Sequence, residues 1–369
     1  MKYYIIAGEA SGDLHGSNLI KALRSRDPRA EIRCWGGDLM QAEGAELVKH
    51  YRDLAFMGFI EVVMNLRTIF RNLDFCKKDI TGFQPDVLIL IDYPGFNLRI
   101  AEWAHAQGFK IVYYISPQVW AWKENRVRKI RQCVDKMLVI LPFEEAFYRK
   151  WDYKTEYVGH PLVEVVNQRL SEPAISRLSD KPVVAILPGS RKQEILKKLP
   201  VMLEVSRRFP DHQFIVAKAP GQEDSFYAEM LAPYANVSSV RNQTYELLRQ
   251  SEAALVTSGT ATLETALFGV PEVVCYKGSK ISYMIAKRLI KVRFISLVNL
   301  IMDREVVKEL IQDEMNVEQI TAELNRLLND SAHRARILSD YAALKQLLSE
   351  GGNASEKAAQ SIASFLGIS

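Results

Sequence analysis

The segment Ala253–Gly269, AALVTSGTATLETALFG, carries residue types that could bind an anion. A short apolar run reads as a buried strand, Gly259 permits a tight turn, and Ser258 or Thr260 could cap the helical pattern that follows. Backbone N–H groups and the positive end of the helix dipole would then face an anion, most readily a diphosphate. Glu264, one turn further in, could accept hydrogen bonds from a ribose. A capped helix without a ligand is the alternative.

A second anion-binding candidate is LPGSR at 187–191. Arg191 follows an apolar strand pattern, a Pro-Gly turn and Ser190, so its guanidinium is expected at the open end of a strand. The planar guanidinium suits two phosphate oxygens. The alternative is a surface arginine that pairs with Glu194. We expect Ser190 and Arg191 to contact the same diphosphate as the Ser258–Thr260 turn.

Asp92 is the strongest candidate for a general base. It ends the apolar run LILID, where a carboxylate is costly unless it lies at the open end of the strand. A carboxylate there could take a proton from a substrate, and bonding to nearby backbone is the alternative. Asn97 follows in the same motif, IDYPGFN. His15, in the glycine turn at 8–16, could be a base or a phosphate contact, but it is ranked below Asp92 because a lone histidine in a glycine turn is more often structural.

Short apolar runs alternate with helical patterns along the chain, which predicts an α/β fold with doubly wound parallel sheets. The second series of strands restarts after VGHPL at 158–162 and reads as a second Rossmann-like half. The predicted strands are Tyr3–Ala7, Ile32–Trp35, Val87–Ile91, Ile111–Ile115, Met137–Leu141, Val183–Leu187, Gln213–Ala217, Ala254–Val256 and Val273–Tyr276.

The length of 369 residues predicts more than one domain. We predict a first Rossmann-like domain at 1–163, a second Rossmann-like domain at 164–345, and a terminal segment at 346–369. The seam is placed near His160 and Pro161. Ligands of doubly wound sheets bind beyond the carboxyl ends of the strands, so two such halves would make a cleft.

Composition and motif spacing exclude several classes of protein. Lysine and arginine total 48 against 44 acidic residues, a net charge of +4 that does not predict nucleic-acid binding. The four cysteines are far apart, and no D-x-D or H-E-x-x-H motif is present, so we expect reduced thiols, no bound metal and no cofactor. The turn at 8–16 lacks G-x-G-x-x-G, which disfavours a dehydrogenase. No apolar stretch reaches the ~20 residues of a spanning helix, and we expect a cytoplasmic protein.

The segment 56–71 predicts a basic amphipathic helix, with Arg67 and Arg71 beside an unusually wide apolar stripe. Such a helix suits anionic lipid headgroups, and core packing is the alternative. Basic residues at 123–131 and 287–293 could extend the same face or form solvated helix surfaces. The residues expected to contact a membrane are Phe59, Ile60, Val62, Val63, Leu66, Ile69 and Phe70.

The order of motifs along the chain resembles the bacterial lipid-A-disaccharide synthases nearly from end to end. The motifs are GEASGD at 8–13, MGFIEV at 57–62, IDYPGFN, SPQVWAW, LPFE at 141–144, VGHPL, LPGSR, SGTATLE, and the late SLVNL and REVVKEL. The resemblance implies a GT-B glycosyltransferase of Gram-negative bacteria, peripheral on the inner membrane. It would join UDP-2,3-diacylglucosamine to 2,3-diacylglucosamine 1-phosphate, invert the donor anomeric carbon and release UDP.

The same resemblance implies roles for individual positions. Asp92 matches the general base, Arg191 and Glu264 match donor-nucleotide contacts, and Asn299 matches a further active-site residue. The N-terminal loop lining the acceptor side is matched by Ser11 and His15, and we place Asn97 there too. The family commonly has an aspartate where this chain has Gly95, so no role rests on a second carboxylate. A final helix is expected to return to the first domain.

Two other functions stay open at this point. One is a UDP-sugar epimerase of the same fold, whose substrate would lack acyl chains and leave the apolar stripe at 56–71 without a purpose. The other is a non-enzymatic module that binds nucleotides or membranes and has no need of Asp92. The residues do not define the acyl-chain length or the oligomeric state, for which a homodimer is one alternative.

Overall fold

The computed structural model describes residues 1–54, 66–122, 124–173, 176–278 and 292–368. The chain forms two compact units, each with its own parallel sheet. The first comprises Met1–Pro161 and Leu348–Ser369, and the second comprises Leu162–Leu347.

Seven parallel strands form the sheet of the first unit, in the order β3-β2-β1-β4-β5-β6-β7. The winding direction reverses between β1 and β4, which are hydrogen-bonded neighbours. Strands buried on both faces are apolar throughout, and all five residues of VLILI in β4 are buried. The strands are β1 Lys2–Ala7, β2 Glu31–Gly36, β3 Glu46–His50, β4 Val87–Ile91, β5 Ile111–Tyr114, β6 Lys136–Val139 and β7 Glu156–Tyr157.

Helices connect these strands and cover both faces of the sheet. A 3-10 turn at Tyr51–Leu54 follows β3. Aromatic and aliphatic side chains from α3 and α4 join the strands in one hydrophobic core. The described helices of the first unit before the chain enters the second are α1 Ala10–Arg26, α2 Asp38–Ala42, α3 Leu66–Phe83, α4 Pro94–Ala106, α5 Val119–Trp122, α6 Arg126–Cys133 and α7 Glu144–Arg149.

The second unit has a six-stranded parallel sheet in the order β10-β9-β8-β11-β12-β13, and here the winding reverses between β8 and β11. The strands are β8 Val183–Leu187, β9 Gln213–Lys218, β10 Val237–Arg241, β11 Ser251–Thr257, β12 Glu272–Tyr276 and β13 Lys308–Ile311. The described helices are α8 Pro161–Ser171, α9 Lys192–Ser206, α10 Asp224–Leu231, α11 Thr244–Arg249, α12 Thr260–Leu267, α13 Leu297–Met302, α14 Val317–Asn329 and α15 Ser331–Ser349.

The chain returns to the first unit at Leu348, and its last helix, α16 Ala354–Leu366, packs against α1. The buried face of α16 consists of small residues and Ile362, so the two helices can approach closely. Arg26 on α1 pairs with Glu356 on α16 at 3.6 Å.

The predicted fold class is confirmed, because both units are doubly wound parallel α/β structures. All nine predicted strands are present with ends that differ by at most three residues. Four further strands, β3, β7, β10 and β13, were not predicted. They are short, lie at or near the sheet edges and have few fully buried residues, so they lack the apolar runs of central strands. The four cysteines are free and buried.

Candidate functional site

The first candidate site lies where the first sheet reverses its winding, at the carboxyl ends of β1 and β4. Such switch points are where doubly wound sheets bind ligands. Gly8 directly follows β1, and Asp92 alone separates Tyr93 from the end of β4. Gly8 and Tyr93 are in close contact. A β-carbon on Gly8 would lie 2.3 Å from Cγ of Tyr93. Glycine at position 8 therefore makes room for the Tyr93 ring and, with it, for the turn that carries Asp92.

Asp92 occupies a left-handed backbone conformation with φ of +42°, and Tyr93 follows with φ of +49°. Non-glycine residues in this region carry strain, which the surrounding structure must offset. The carbonyl of Asp92 accepts hydrogen bonds from Asn97 Nδ2 at 2.8 Å and from the Tyr113 hydroxyl at 2.5 Å. Its N–H donates to the carbonyl of Ile115 at 3.2 Å. The main chain of Asp92 is thus held on both sides, and its side chain is half-buried at the carboxyl end of β4.

The carboxyl of Asp92 is a weaker acid than an ordinary aspartate. Burial and, to a smaller extent, the nearby charge of Glu9 raise its pKa to about 7, against a hydrogen bond from the Tyr93 N–H that lowers it. A base whose pKa lies near the working pH combines a useful deprotonated fraction with a strong pull on the proton. The environment therefore suits a general base.

Asn97 is fully buried at the start of α4. Its Nδ2 is 3.2 Å from the carbonyl of Ile91 in addition to the bond to Asp92. The Asn97 Oδ1 atom has no hydrogen-bond partner among the described residues. Asn97 therefore fixes the strand end beneath Asp92 from inside the unit.

Ser11 and His15 both belong to α1, which begins two residues after Gly8. Ser11 is exposed on the first turn, whereas His15 is buried, and its Nδ1 atom has no partner within the described chain. Burial lowers the pKa of His15 to about 4, so its imidazole is neutral at neutral pH. Asp13 of the same motif accepts hydrogen bonds from the N–H groups of Gly37 and Met40, which ties the motif to α2.

Two motifs at the ends of β5 and β6, SPQVWAW and LPFE, are joined by Glu144. Its carboxylate accepts hydrogen bonds from the N–H of Leu141 at 2.9 Å and from Trp120 Nε1 at 3.2 Å. Burial raises the pKa of Glu144 to about 7 against these hydrogen bonds. The Ser116 and Tyr148 hydroxyls are 2.6 Å apart beside it. These contacts of Ser116, Trp120 and Glu144 hold the two loops together.

The second candidate site lies where the second sheet reverses its winding, at the ends of β8 and β11. After β8, Gly189 has φ of +105° and Ser190 is exposed. Arg191 precedes the first residue of α9, and its side chain is 59% exposed. Its Nη1 lies 3.4 Å from Oε1 of Glu194, so the pairing that we gave as the alternative is present.

The turn after β11 differs from the sequence prediction in one respect. Gly259, with φ of +140°, is the N-cap of α12, and no side chain of the described residues caps this helix. Ser258, which we expected as a cap as an alternative to Thr260, donates instead to the carbonyl of Ile295 at 2.8 Å. The first N–H groups of α12 consequently need another acceptor, as an anion site requires.

Asn299 holds the loop that receives Ser258. Its Oδ1 accepts hydrogen bonds from the N–H of Val306 at 2.8 Å and of Val307 at 3.0 Å. Its Nδ2 donates to Oε1 of Glu309 at 2.9 Å, and Glu309 also accepts the N–H of Ile295. Asn299 is fully buried, and its amide is committed to this network. The network fixes the carbonyl that positions Ser258.

Glu264 lines a cavity of about 440 Å³ inside the second unit. Its Oε1 accepts a hydrogen bond from the Tyr245 hydroxyl at 2.8 Å. Burial raises the pKa of Glu264, and the Tyr245 bond lowers it. The cavity lies at the end of β10, a strand that the sequence did not reveal, so Tyr245 was missed. The lining residues are Arg169, Glu172, Pro173, Asn242, Gln243, Thr244, Tyr245, Glu246 and Glu264.

The predicted membrane helix is only partly described, because Phe59, Ile60, Val62 and Val63 and the side chain of Leu66 lie outside the described residues. Ile69 is partly buried and packs against the core of the first unit. Phe70 is 55% exposed. In the part of the chain that the structure describes, no helix is long and apolar enough to span a bilayer, and no cluster of side chains is suited to a metal ion.

Two solved structures resemble the chain in fold. The S. aureus MnaA–UDP co-structure matches with a TM-score of 0.71 at 12% identity, over 100% of this chain and 97% of that one. The structure of the glycotransferase of kitacinnamycin matches with a TM-score of 0.68 at 14% identity, over 98% of each chain. These likenesses place both units in the GT-B class of fold, which glycosyltransferases and epimerases share.

Sequence relatives distinguish between these activities. The family model described as lipid-A-disaccharide synthetase matches residues 3–363. A curated relative from Geobacter metallireducens, named lipid-A-disaccharide synthase, is 41% identical over 372 residues, which cover 98% of this chain and 97% of the relative. Both matches include the strand ends that carry Asp92, Arg191 and the Ser258 turn. The chain therefore belongs to the lipid-A-disaccharide synthase family of glycosyltransferases.

Proposed function

We propose that this protein performs the disaccharide-forming step of lipid A biosynthesis. It transfers the sugar of UDP-2,3-diacylglucosamine to 2,3-diacylglucosamine 1-phosphate, and the products are lipid A disaccharide 1-phosphate and UDP. The observation that carries the chemistry is Asp92, a carboxyl group at a switch point with a pKa of about 7. Family membership supplies the substrate class.

The reaction is a displacement at the anomeric carbon of the donor, with inversion. The acceptor's 6-hydroxyl oxygen forms the new bond as the carbon–oxygen bond to the diphosphate breaks. Asp92 takes the hydroxyl proton, and UDP leaves with the electron pair of the broken bond. Alignment of the two substrates and removal of the proton together lower the barrier. The restrained backbone of Asp92 keeps the base in one place during this step.

The second unit binds the donor in this proposal. Arg191, Ser190 and the N–H groups at Thr260 meet the diphosphate charge, which grows as the bond to the sugar breaks. Glu264 accepts hydrogen bonds from the ribose, and its cavity of about 440 Å³ falls within the size range of small-molecule pockets. Asn299 acts indirectly, because its amide is committed to the loop that holds Ser258.

The first unit binds the acceptor. Ser11 is exposed on the first turn of α1, where a helix N-terminus favours the acceptor's phosphate. His15 and Asn97 are buried behind that surface and shape it. The neutral imidazole of His15 leaves Asp92 as the base of choice, because the pKa of His15 lies well below neutrality.

We also propose that the protein is peripheral on the cytoplasmic face of the inner membrane, since both substrates carry acyl chains. One face of α3 supports this assignment. Phe70 and Phe75 are 55% and 46% exposed, and cations flank them. An exposed apolar and basic face of this kind suits anionic headgroups. The exposed residues of this face are Arg67, Phe70, Arg71, Asp74, Phe75 and Lys78.

A detergent assay that follows UDP and the lipid product separates the three functions considered from the sequence. The transferase releases UDP only when diacylated donor and acceptor are both present, and it forms a disaccharide phosphate. An epimerase would convert the donor without the acceptor. A binding module would retain UDP and form no product. Either of the last two outcomes would contradict the proposal.

A further inference from the structure

Lys198 places a positive charge inside the second unit, directly under the proposed diphosphate site. Its side chain is 2% exposed, although lysine is among the residues least often buried. The ammonium group lies 3.5 Å from Oε2 of Glu194 and 5.9 Å from the centre of the Tyr276 ring. A buried ammonium is stable only when it is paired, and Glu194 is the partner.

Glu194 is shared between two cations. Its Oε1 lies 3.4 Å from Nη1 of Arg191, and its Oε2 lies 3.5 Å from Nζ of Lys198. The carboxylate belongs to the first turn of α9, where the helix dipole also favours a negative charge. Two positive charges and one negative charge leave this cluster with a net positive charge.

The cluster touches the backbone of the LPGSR turn. A β-carbon on Gly189 would lie 3.0 Å from Oε2 of Glu194 and 3.8 Å from Nζ of Lys198. It would also lie 3.5 Å from Cγ2 of Thr257, the last residue of β11 before the SGT turn. The ion pair therefore sits between the ends of the two strands at the switch point.

We propose that Lys198 and Glu194 are positioning residues for Arg191: Lys198 anchors Glu194 from below, and Glu194 holds the guanidinium where the donor diphosphate binds. Lys198 contacts no substrate, and its charge acts through the pair. This inference rests on the proposed function of Arg191. It gives the pairing of Arg191 with Glu194 a purpose in binding, where the sequence offered that pairing only as an alternative to binding.

The test is a double-mutant cycle in the full-length protein, with UDP as the probe and calorimetry as the measurement. We expect E194Q to weaken UDP binding about tenfold, the order of a lost charge-assisted hydrogen bond. In an R191A background the same substitution should change UDP affinity less than twofold, because the residue through which Glu194 acts is gone. Additive effects of R191A and E194Q, or E194Q with wild-type affinity, would overturn the inference.

A double variant keeps the test informative if E194Q fails to fold. E194Q alone leaves Lys198 buried without a partner, whereas E194Q/K198M removes both charges, and such replacements are often tolerated. We expect the double variant to raise the donor KM about tenfold with an unchanged acceptor KM. Equal losses for both substrates would instead indicate a general structural role and overturn the inference. E305Q, which breaks an exposed Glu305–Lys308 pair at 3.6 Å in the same unit, serves as the control and should change neither KM.

The wild-type protein distinguishes this inference from the proposed function. If wild-type protein binds UDP and forms the disaccharide while E194Q/K198M does the same with unaltered KM values, only the inference fails. If wild-type protein neither binds UDP nor forms the product, both fail.

Discussion

The ring of Tyr93 fills the space that any side chain on Gly8 would need, since a β-carbon there would lie 2.3 Å from Tyr93 Cγ. The contact joins the ends of β1 and β4 across the switch point of the first sheet. It also links the GEASGD and IDYPGFN motifs, which are separated in the chain by β2 and β3. The position of Asp92 thus depends on the size of residue 8.

Gly8→Ala is therefore expected to displace the Tyr93 ring and shift Asp92. We expect a loss of unfolding free energy of roughly 1–3 kcal/mol, typical of an overpacked site, and a larger proportional fall in kcat than in substrate affinity. Urea unfolding and steady-state kinetics measure the two effects. Gly95→Ala is a matched control, because a β-carbon at position 95 meets nothing within 4 Å. Equal behaviour of the two variants would show that the contact does not position Asp92.

The pKa of Asp92 predicts the acid side of the pH profile. The base must be deprotonated, so kcat/KM should fall about tenfold per pH unit below a pH of about 7 and level off above it. Glu9→Gln removes a negative charge that raises the pKa of Asp92, so the acid limb should move to lower pH. Glu318→Gln, which changes an exposed carboxylate in the second unit, should leave the limb in place. An acid limb that stays fixed in Glu9→Gln would show that Asp92 does not set it.

Glu264 and Tyr245 predict how the donor pocket responds to substitution. Glu264→Gln removes the proposed ribose acceptor charge and should weaken UDP binding about tenfold or more. Tyr245→Phe removes the hydroxyl that lowers the pKa of Glu264, so this pKa should rise further and UDP binding should become weaker at acidic pH. Calorimetry across a pH series measures both effects. Unchanged UDP affinity in both variants would place the nucleoside elsewhere.

The exposed face of α3 predicts membrane binding. A Phe70→Ser/Phe75→Ser variant should bind vesicles containing anionic phospholipid at least about tenfold more weakly than wild type. The reason is that transfer of two exposed phenyl rings from water into the membrane contributes several kcal/mol. Leu338→Ser, which changes a 37% exposed residue of the second unit, is the control. Vesicle sedimentation gives the bound fraction, and disaccharide formation in detergent should be unaffected. Equal vesicle binding by all three proteins would exclude this face as the membrane contact.

The central strands and their polar ends could be predicted from the sequence, because buried parallel strands are continuous apolar runs and their carboxyl ends carry the turn residues. Asp92, Arg191 and the SGT turn were found in this way. The edge strand β10 was not, since none of its residues is fully buried and polar residues such as Ser238 and Arg241 interrupt its apolar pattern. The cavity at its end, with Tyr245, was therefore missed as well.

Side-chain partners were harder to predict than positions. Ser258 was expected as a helix cap, and it donates to Ile295, a residue 37 positions later in the chain. Glu144 and Lys198 gave no signal, because a single charged residue in a helical pattern usually lies on a solvated face. Their burial results from packing between elements that are distant in sequence, which local patterns do not record.

The most direct test of the account is the turnover of Asp92→Asn, measured as disaccharide formed from both diacylated substrates in detergent. Because the pKa of Asp92 is higher in the folded protein than its ordinary value, ionisation of this carboxyl costs stability as the pH rises towards about 7. The variant should therefore be at least as stable as wild type at about pH 8. We predict that kcat falls by about 10²–10⁴, the contribution of a general base, with UDP affinity unchanged. Turnover close to wild type in the folded variant would contradict the account.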